Sequence, residues 1–344
     1  MTPIFDFEKM NAIFNRSYNH LIDLIRDDGS YIYKYKLGDP THSDKYNILR
    51  HAGCVWALNT FSINESKNPR IDLALRYLLS KMETGPNGIG TCIPEDDSIK
   101  IGANALALLA LLSTDRPEQY KSTIDGLISY MFSQQKRDLD FVHKVDRHSG
   151  QATDFYSDYY TGEVLFSLVK YAIVFSDADV LEKAERALIA RLKQRYGIKQ
   201  HSHWMMYAAS TMFQIRPSYG LIWYTKNFID EVVNNNGYRT WGRGTPIACR
   251  TEALLSALDV AQRASFPEYY IANVIGEISK NIATQAEYHL PNGGFSGRKN
   301  NNIVRIDFIQ HHLPGFYPGN FSKLGFGSEY VKGEFPARKD AKSW

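Results

Sequence analysis

Apolar residues recur along nearly the whole chain at helical spacing, i, i+3, i+4 and i+7, rather than in alternation. The pattern predicts about twelve helices. The first runs from about Phe5 to Asp27, where Asp27-Asp28-Gly29 stops it. Tyr31-Ile32-Tyr33-Lys34-Tyr35 alternates and reads as a short strand. Helices follow near Ile48–Phe61, from Asn68-Pro69 to about Glu83, and over Ile101–Leu112 and Pro117–Lys136. The polar stretch Asp138–Phe155 is a loop. Further helices cover about Tyr159–Phe175, Asp179–Tyr196, His203–Phe213, Tyr219–Val233, Pro246–Ala261 and Pro267–Tyr288. A last short one starts near Asp307. Gly85-Pro86-Asn87-Gly88 and Pro291-Asn292-Gly293-Gly294 are breaks.

Long, charged, amphipathic segments alternate with shorter, more apolar ones. A helix that is apolar all round must be covered on all sides. The alternation therefore predicts two concentric rings, with the apolar helices inside. Taken in order, the segments pair into about six hairpins. The longer loops mostly join an outer helix to the next inner one, which places them on one face over the N-termini of the inner ring. The expected organisation is one domain over 1–317, with a Gly- and Lys-rich extension, 318–344, across its surface.

The starts of the inner helices carry unexpected polarity. The second segment opens with Asn47, Arg50 and His51, and the fourth offers Asn104. The sixth opens with Asp154, Asp158, Tyr160 and Glu163, and the eighth with His201, His203 and Trp204. The tenth carries Arg250 and Glu252. The twelfth opens with Arg305, Asp307, Gln310 and His311. An unpaired buried charge is costly, so these groups pair with one another or converge on a cleft. In the structural reading, Ser157 or Asp158 caps the sixth helix. Arg50, Arg250 and Arg305 then neutralise Asp158, Glu163, Glu252 or Asp307. In the functional reading, Glu163, Asp158, Glu252, His203 and His311 are the catalytic candidates. Arg50, His51, Asn104, Tyr160, Trp204, Arg250, Asp307 and Gln310 are the substrate-binding ones. Gly162, beside Glu163, would leave room for a ligand to approach the backbone.

At these residues the chain resembles the six-hairpin (α/α)6 toroids, a superfamily of glycosidases, N-acylglucosamine 2-epimerase-type enzymes and polysaccharide lyases. The resemblance covers nearly the whole chain and is architectural. Tyr159-Tyr160-Thr161-Gly162-Glu163, followed by an apolar helix, looks like the inner-helix starts of such barrels. The 2-epimerase type is similar in placing catalytic histidines on its eighth and twelfth helices, where this chain has His203 and His311. The resemblance implies an all-α (α/α)6 toroid with short strand-like pieces in its loops, and a carbohydrate-active enzyme. Class II terpene cyclases share only Gly293-Gly294-Phe295, and their DxDD acid motif is absent. A zinc site like that of the lanthionine cyclases needs a Cys/Cys/His set; Cys249, Cys54 and His311 have no supporting spacing. The expectation is no metal and no cofactor.

The chemistry open to this set is threefold. Glycoside hydrolysis needs two carboxylates across a cleft, which Asp158 or Glu163 with Glu252 or Asp307 would supply. Epimerisation or isomerisation needs an acid and a base beside a carbonyl, and His203 and His311 fit. A lyase would use Arg50 or Arg250 with His203 or Tyr160. The expected function is a glycoside hydrolase. A sugar epimerase or isomerase, or a toroid that binds a peptide or protein without chemistry, is the alternative.

Composition adds three points. Twenty-two Tyr and 18 Phe suit a ring-stacking ligand such as a sugar. A net charge of +3 gives no case for nucleic acid. Yet Lys144, Arg147, Arg239, Arg243, Arg298 and Lys299 fall in loops of the predicted mouth, and with the inner-helix N-termini they favour an anionic sugar or oligosaccharide. Three scattered cysteines, no signal-like N-terminus and no membrane-length apolar run point to a cytoplasmic protein.

Overall fold

A computed structural model describes residues 5–39, 45–62 and 68–325. Twelve α-helices form among them: α1 (Phe7–Asp23), α2 (Ile48–Thr60), α3 (Pro69–Leu79), α4 (Ile101–Leu112), α5 (Lys121–Ser133), α6 (Tyr160–Val174), α7 (Ala178–Lys193), α8 (His203–Ile215), α9 (Tyr219–Asn234), α10 (Gly244–Arg263), α11 (Glu268–Ala286) and α12 (Ile306–Phe316). α2 packs on α4, α4 on α6, α6 on α8, α8 on α10 and α10 on α12; α12 returns to α2 and closes the ring. The odd-numbered helices surround it. The fold is the (α/α)6 toroid.

Burial follows the apolar pattern. Every residue of α4 is buried, as a helix apolar all round requires. α7 buries one stripe, including Val180, Ala184, Leu188 and Leu192, and turns most of its charges to solvent; Arg191 is buried and pairs with Asp140. Asp6, Asn68, Asp177, Ser202 and Ser218 cap α1, α3, α7, α8 and α9 through their side chains. At α6 the cap is Tyr159, with no side-chain bond. Ser157 and Asp158 do not cap it, because the Ser157 N–H is held by His143 Nδ1 at 2.9 Å and the helix begins beyond them.

Three outer helices end in the same hairpin. After α1, α5 and α11 the chain bridges Ile25 to Tyr31, Gln135 to Phe141 and His289 to Phe295. Each turn has a left-handed residue at the same place, Gly29, Leu139 and Gly293. Each drops a buried aromatic ring into the core. This repeat lies in the outer-to-inner loops and has no single shared sequence motif. The expected Tyr31–Tyr35 strand is one of these hairpins: Tyr31 makes the bridge, and only Lys34–Lys36 pairs as a strand, antiparallel to Ile303–Arg305. That pairing ties the first loop to the last. Pro94–Glu95, Ser98–Lys100 and Lys144–Asp146 form a second small sheet on the same face.

Beyond α12, two short 3-10 turns carry Phe321 and Leu324, both buried in the core. The start of the expected surface extension is thus part of the packing, because its apolar side chains have a core to enter; the rest, from 326, lies outside the described residues. No helix among the described residues is long and apolar enough to cross a membrane.

Candidate active site

Four inner helices bring together polar side chains from within their first three turns. His203 is the first residue of α8 and is 2% exposed. Neither ring nitrogen has a hydrogen-bond partner, an uncommon state for a buried polar group. Burial, then the neighbouring His311 and Arg250, hold its pKa well below the usual imidazole range. The His311 ring stands edge-on to it, with centroids 5.1 Å apart. His311 Nδ1 donates to Glu252 Oε1 at 2.8 Å, and the other oxygen of Glu252 accepts from the Tyr207 hydroxyl at 2.9 Å. Burial opposes protonation of His311, but Cys249 and Glu252 outweigh it and raise its pKa well above the usual range. Cys249 and Glu252 share a face of α10 because they are three residues apart. One donor atom each from His203, Cys249, Glu252 and His311 lies within 4.8 Å of the others.

Glu163, on the second turn of α6, is buried, and its Oε2 has no partner. Desolvation pushes its pKa up to about 8, with His311 opposing. The carboxyl is therefore largely protonated at neutral pH. Gln310, on α12, is also buried, with its Nε2 unpartnered. Trp204 packs into the ring interior against Trp56, centroids 5.3 Å apart. Tyr160 leans towards α4, and burial raises its hydroxyl pKa.

Two of the three arginines take one of the expected carboxylates, and the third does not. Arg50 and Arg305 both take Asp307, at 3.1 and 2.5 Å. Arg50 also donates to the Tyr33 hydroxyl. Arg250 pairs with no carboxylate among the described residues; it donates to His201 Nδ1 at 2.7 Å and to the Pro246 carbonyl. Its guanidinium lies 4.6 Å from the Tyr238 ring centroid and 5.4 Å from that of Trp241. Glu163 thus has no arginine.

Three candidates lie away from this cluster. His51 faces outward from α2: its Nε2 donates to the Ala74 carbonyl on α3, its Nδ1 accepts from Tyr46, and its ring stacks on Tyr77. Asn104 accepts from the Ile93 N–H and donates to the Lys100 carbonyl, holding the loop before α4. Asp158 is exposed, as is Asp154. A short polar side chain just before a helix is as free to face solvent as a cleft, and here the loop runs over the rim. Gly162 is tight against α8 rather than open to a ligand: a Cβ there would meet Met205 N at 2.8 Å.

Several residues of the site were not singled out from sequence. Cys249 was set aside there for want of spacing to Cys54 and His311, although its spacing to Glu252 on one helix was an available signal. Tyr159 and Trp241 are exposed at the mouth, and Tyr159 lies 6.0 Å from His203 between ring centroids. Of the six basic loop residues, Arg147, Arg239 and Lys299 are matched by Glu83, Glu277 and Glu287. Lys144, Arg243 and Arg298 have no ion pair among the described residues. A cavity of about 350 Å³ also opens among the later turns of the inner helices, beside Lys170, Gln214 and Asp259, and reaches Tyr207 and Glu252 from that side.

No family model matches the sequence, and no curated protein does. Solved structures do share the fold. A family 76 glycoside hydrolase, an α-mannanase of Bacteroides thetaiotaomicron, superposes with a TM-score of 0.63 at 12% identity, covering 93% of this chain and 97% of that one. A D-mannose isomerase gives 0.67 at 9% identity, covering 92% and 97%. The cellobiose 2-epimerase of Bacillus thermoamylovorans gives 0.66 at 12% identity, covering 89% and 99%. This chain therefore has the (α/α)6-toroid architecture over almost its full described length, an architecture on which sugar hydrolases, isomerases and epimerases are all built.

Proposed function

We propose that the protein is a carbohydrate-active enzyme that moves a proton on a sugar carbon adjacent to a carbonyl, as an epimerase or isomerase does. The observation that carries this reading is the His203–His311 pair, two imidazoles in van der Waals reach of one another. Glu252 orients His311 and stabilises its cationic form, so His311 is the acid. His203 is held neutral by burial and keeps a free lone pair, so it is the base. General acid–base groups contribute about 10²–10⁴-fold each. Exposed Tyr159 and Trp241 offer ring faces for a sugar. Lys144, Arg243 and Arg298 support an anionic one, such as a uronate or sugar phosphate. The folds of the mannose isomerase and cellobiose 2-epimerase support the same class. The three free cysteines, two of them buried, fit a reducing, cytoplasmic setting.

Glycosidic hydrolysis is the second reading, favoured by Glu163. A carboxyl held protonated in a cleft is the usual general acid of a glycosidase. Glu252 is less suited to be its partner, because both its oxygens are already hydrogen-bonded.

The two readings separate in deuterated water. Reducing sugars, uronates included, incubated with the protein should gain one deuterium at the carbon beside the carbonyl, and His203→Gln should abolish the gain. No incorporation, with new reducing ends released from oligosaccharides, would establish hydrolysis instead.

A further inference from the structure

Proton transfer at a sugar carbon has no need of a thiol, yet Cys249 stands in the same cluster. We propose that His203, Cys249, Glu252 and His311 form a binding site for a borderline-soft divalent ion of the zinc class. The donor set is two imidazoles, a thiolate and a carboxylate, the mixture that zinc and cobalt(II) favour over magnesium or calcium. It is drawn from α8, α10 and α12, so the ring itself, not a flexible loop, holds the donors.

Two further observations point to a ligand. His203 is 2% exposed, and neither of its nitrogens is satisfied by the protein. A buried imidazole with a free lone pair gains most from an ion, because it gives up no existing bond. Glu252 has the support that metal ligands commonly have: the Tyr207 hydroxyl donates to its second oxygen at 2.9 Å. The donor atoms lie within 4.8 Å of one another. Tetrahedral zinc, with bonds of about 2.0–2.3 Å, spaces its donors by roughly 3.3–3.8 Å. Closing that gap takes about one ångström of side-chain movement on three helices. Binding would release the Cys249 thiol proton and the extra proton of the His311 imidazolium, and break the His311–Glu252 hydrogen bond.

The ion and the acid–base pair use the same ring nitrogens. If the proton-transfer reading holds, the loaded site is a switched-off state: zinc-class ions suppress turnover and a chelator restores it. That consequence rests on the proposed function, whereas the binding itself does not.

The test reads binding without turnover. The purified, chelator-treated protein is titrated with cobalt(II), and zinc retained after dialysis is counted per chain. We expect one tightly held ion per chain and a thiolate-to-cobalt charge-transfer absorption. Cys249→Ser removes the absorption, and His203→Gln weakens retention by on the order of 100-fold or more. Absence of the charge-transfer band in the unmodified protein overturns the proposal, whatever the variants do. So does zinc held equally well by Cys249→Ser and His203→Gln. Binding with no effect on deuterium incorporation leaves the site standing and removes the switch.

Discussion

Gly102 on α4 and Glu163 on α6 fit together like a notch and a peg: a Cβ at Gly102 would lie 2.2 Å from Glu163 Oε2. The same Cβ would meet the Tyr160 ring at 2.6 Å. Bare backbone on one inner helix thus makes the space for the buried carboxyl of the next. Gly102→Ala should displace both side chains. Overpacking typically costs about 1–3 kcal/mol, so the melting temperature should fall by a modest amount. Turnover should fall further if Glu163 acts in the chemistry. An active variant of unchanged stability would show that the carboxyl can move freely.

Glu163→Gln separates a chemical role from a structural one. No arginine pairs with Glu163, so the substitution strands no cation. Its carboxyl has a folded-state pKa near 8, above the ordinary value of 4.5. The titratable groups that reach it are His311 and Tyr160. A carboxyl with a raised pKa favours the fold below its unfolded value, and that contribution is lost as pH rises from about 4.5 to about 8. Relative to the parent, Glu163→Gln should therefore gain stability over that window, by on the order of a few kcal/mol at its alkaline end. If Glu163 is the general acid of a hydrolase, turnover should drop by about 10²–10⁴-fold; if proton transfer rests on His203 and His311, it should change little. Melting curves at pH 5 and pH 8 check the first point, since equal differences at both would contradict a buried, protonated carboxyl.

His51 predicts acid lability. Burial first, with its bond to the Ala74 carbonyl opposing, lowers its pKa to about 4 from 6.5. The unfolded chain then takes up a proton between pH 6.5 and 4 that the folded protein refuses, so stability is lost as pH falls through that window. The slope is about 1.4 kcal/mol per pH unit for this group. His201, His289 and His312 are shifted in the same direction and add to it. Urea midpoints measured between pH 7.5 and 4.5 should fall steadily, and less steeply in His51→Gln. A flat profile would mean that these imidazoles are not buried as described.

Tyr159 and Trp241 should matter for affinity and hardly at all for folding. Both rings are exposed, at 40% and 57%. Ring contacts of this kind are worth about 0.5–1.5 kcal/mol, so each alanine variant should bind sugar about 2- to 12-fold more weakly at the same melting temperature. Binding isotherms with the best substrate would show it; an unaltered Kd in both variants would place the sugar elsewhere.

Much of the architecture could be read from residue spacing. The almost entirely apolar run Ile101–Leu112 could only be an inner helix, and the charged stripe of α7 only an outer one. Leu78 and Leu79 end α3 four residues before the expected Glu83, because Glu83–Thr84 pairs with Thr91–Cys92 and takes the chain out of the helix. The recurrent hairpin after α1, α5 and α11 was hidden because Gly29, Leu139 and Gly293 share a backbone conformation and not a residue type.

The sequence by itself determined the helices, their alternation and the depth at which His203, Glu163, Glu252 and His311 sit, since being near the start of an inner helix fixes height along the ring axis. Only the tertiary structure decided which of the polar starts face inward. Each residue turns about 100° around its helix, and an inner helix that is apolar on all sides has no hydrophobic direction from which that rotation can be read. His51 and His203 are alike in sequence setting, yet one faces α3 and the other faces His311. Cys249 meets His311 across two helices for the same reason: their encounter depends on how α10 and α12 are rotated in the closed ring, and ring closure couples residues too far apart in the chain for any spacing rule to connect.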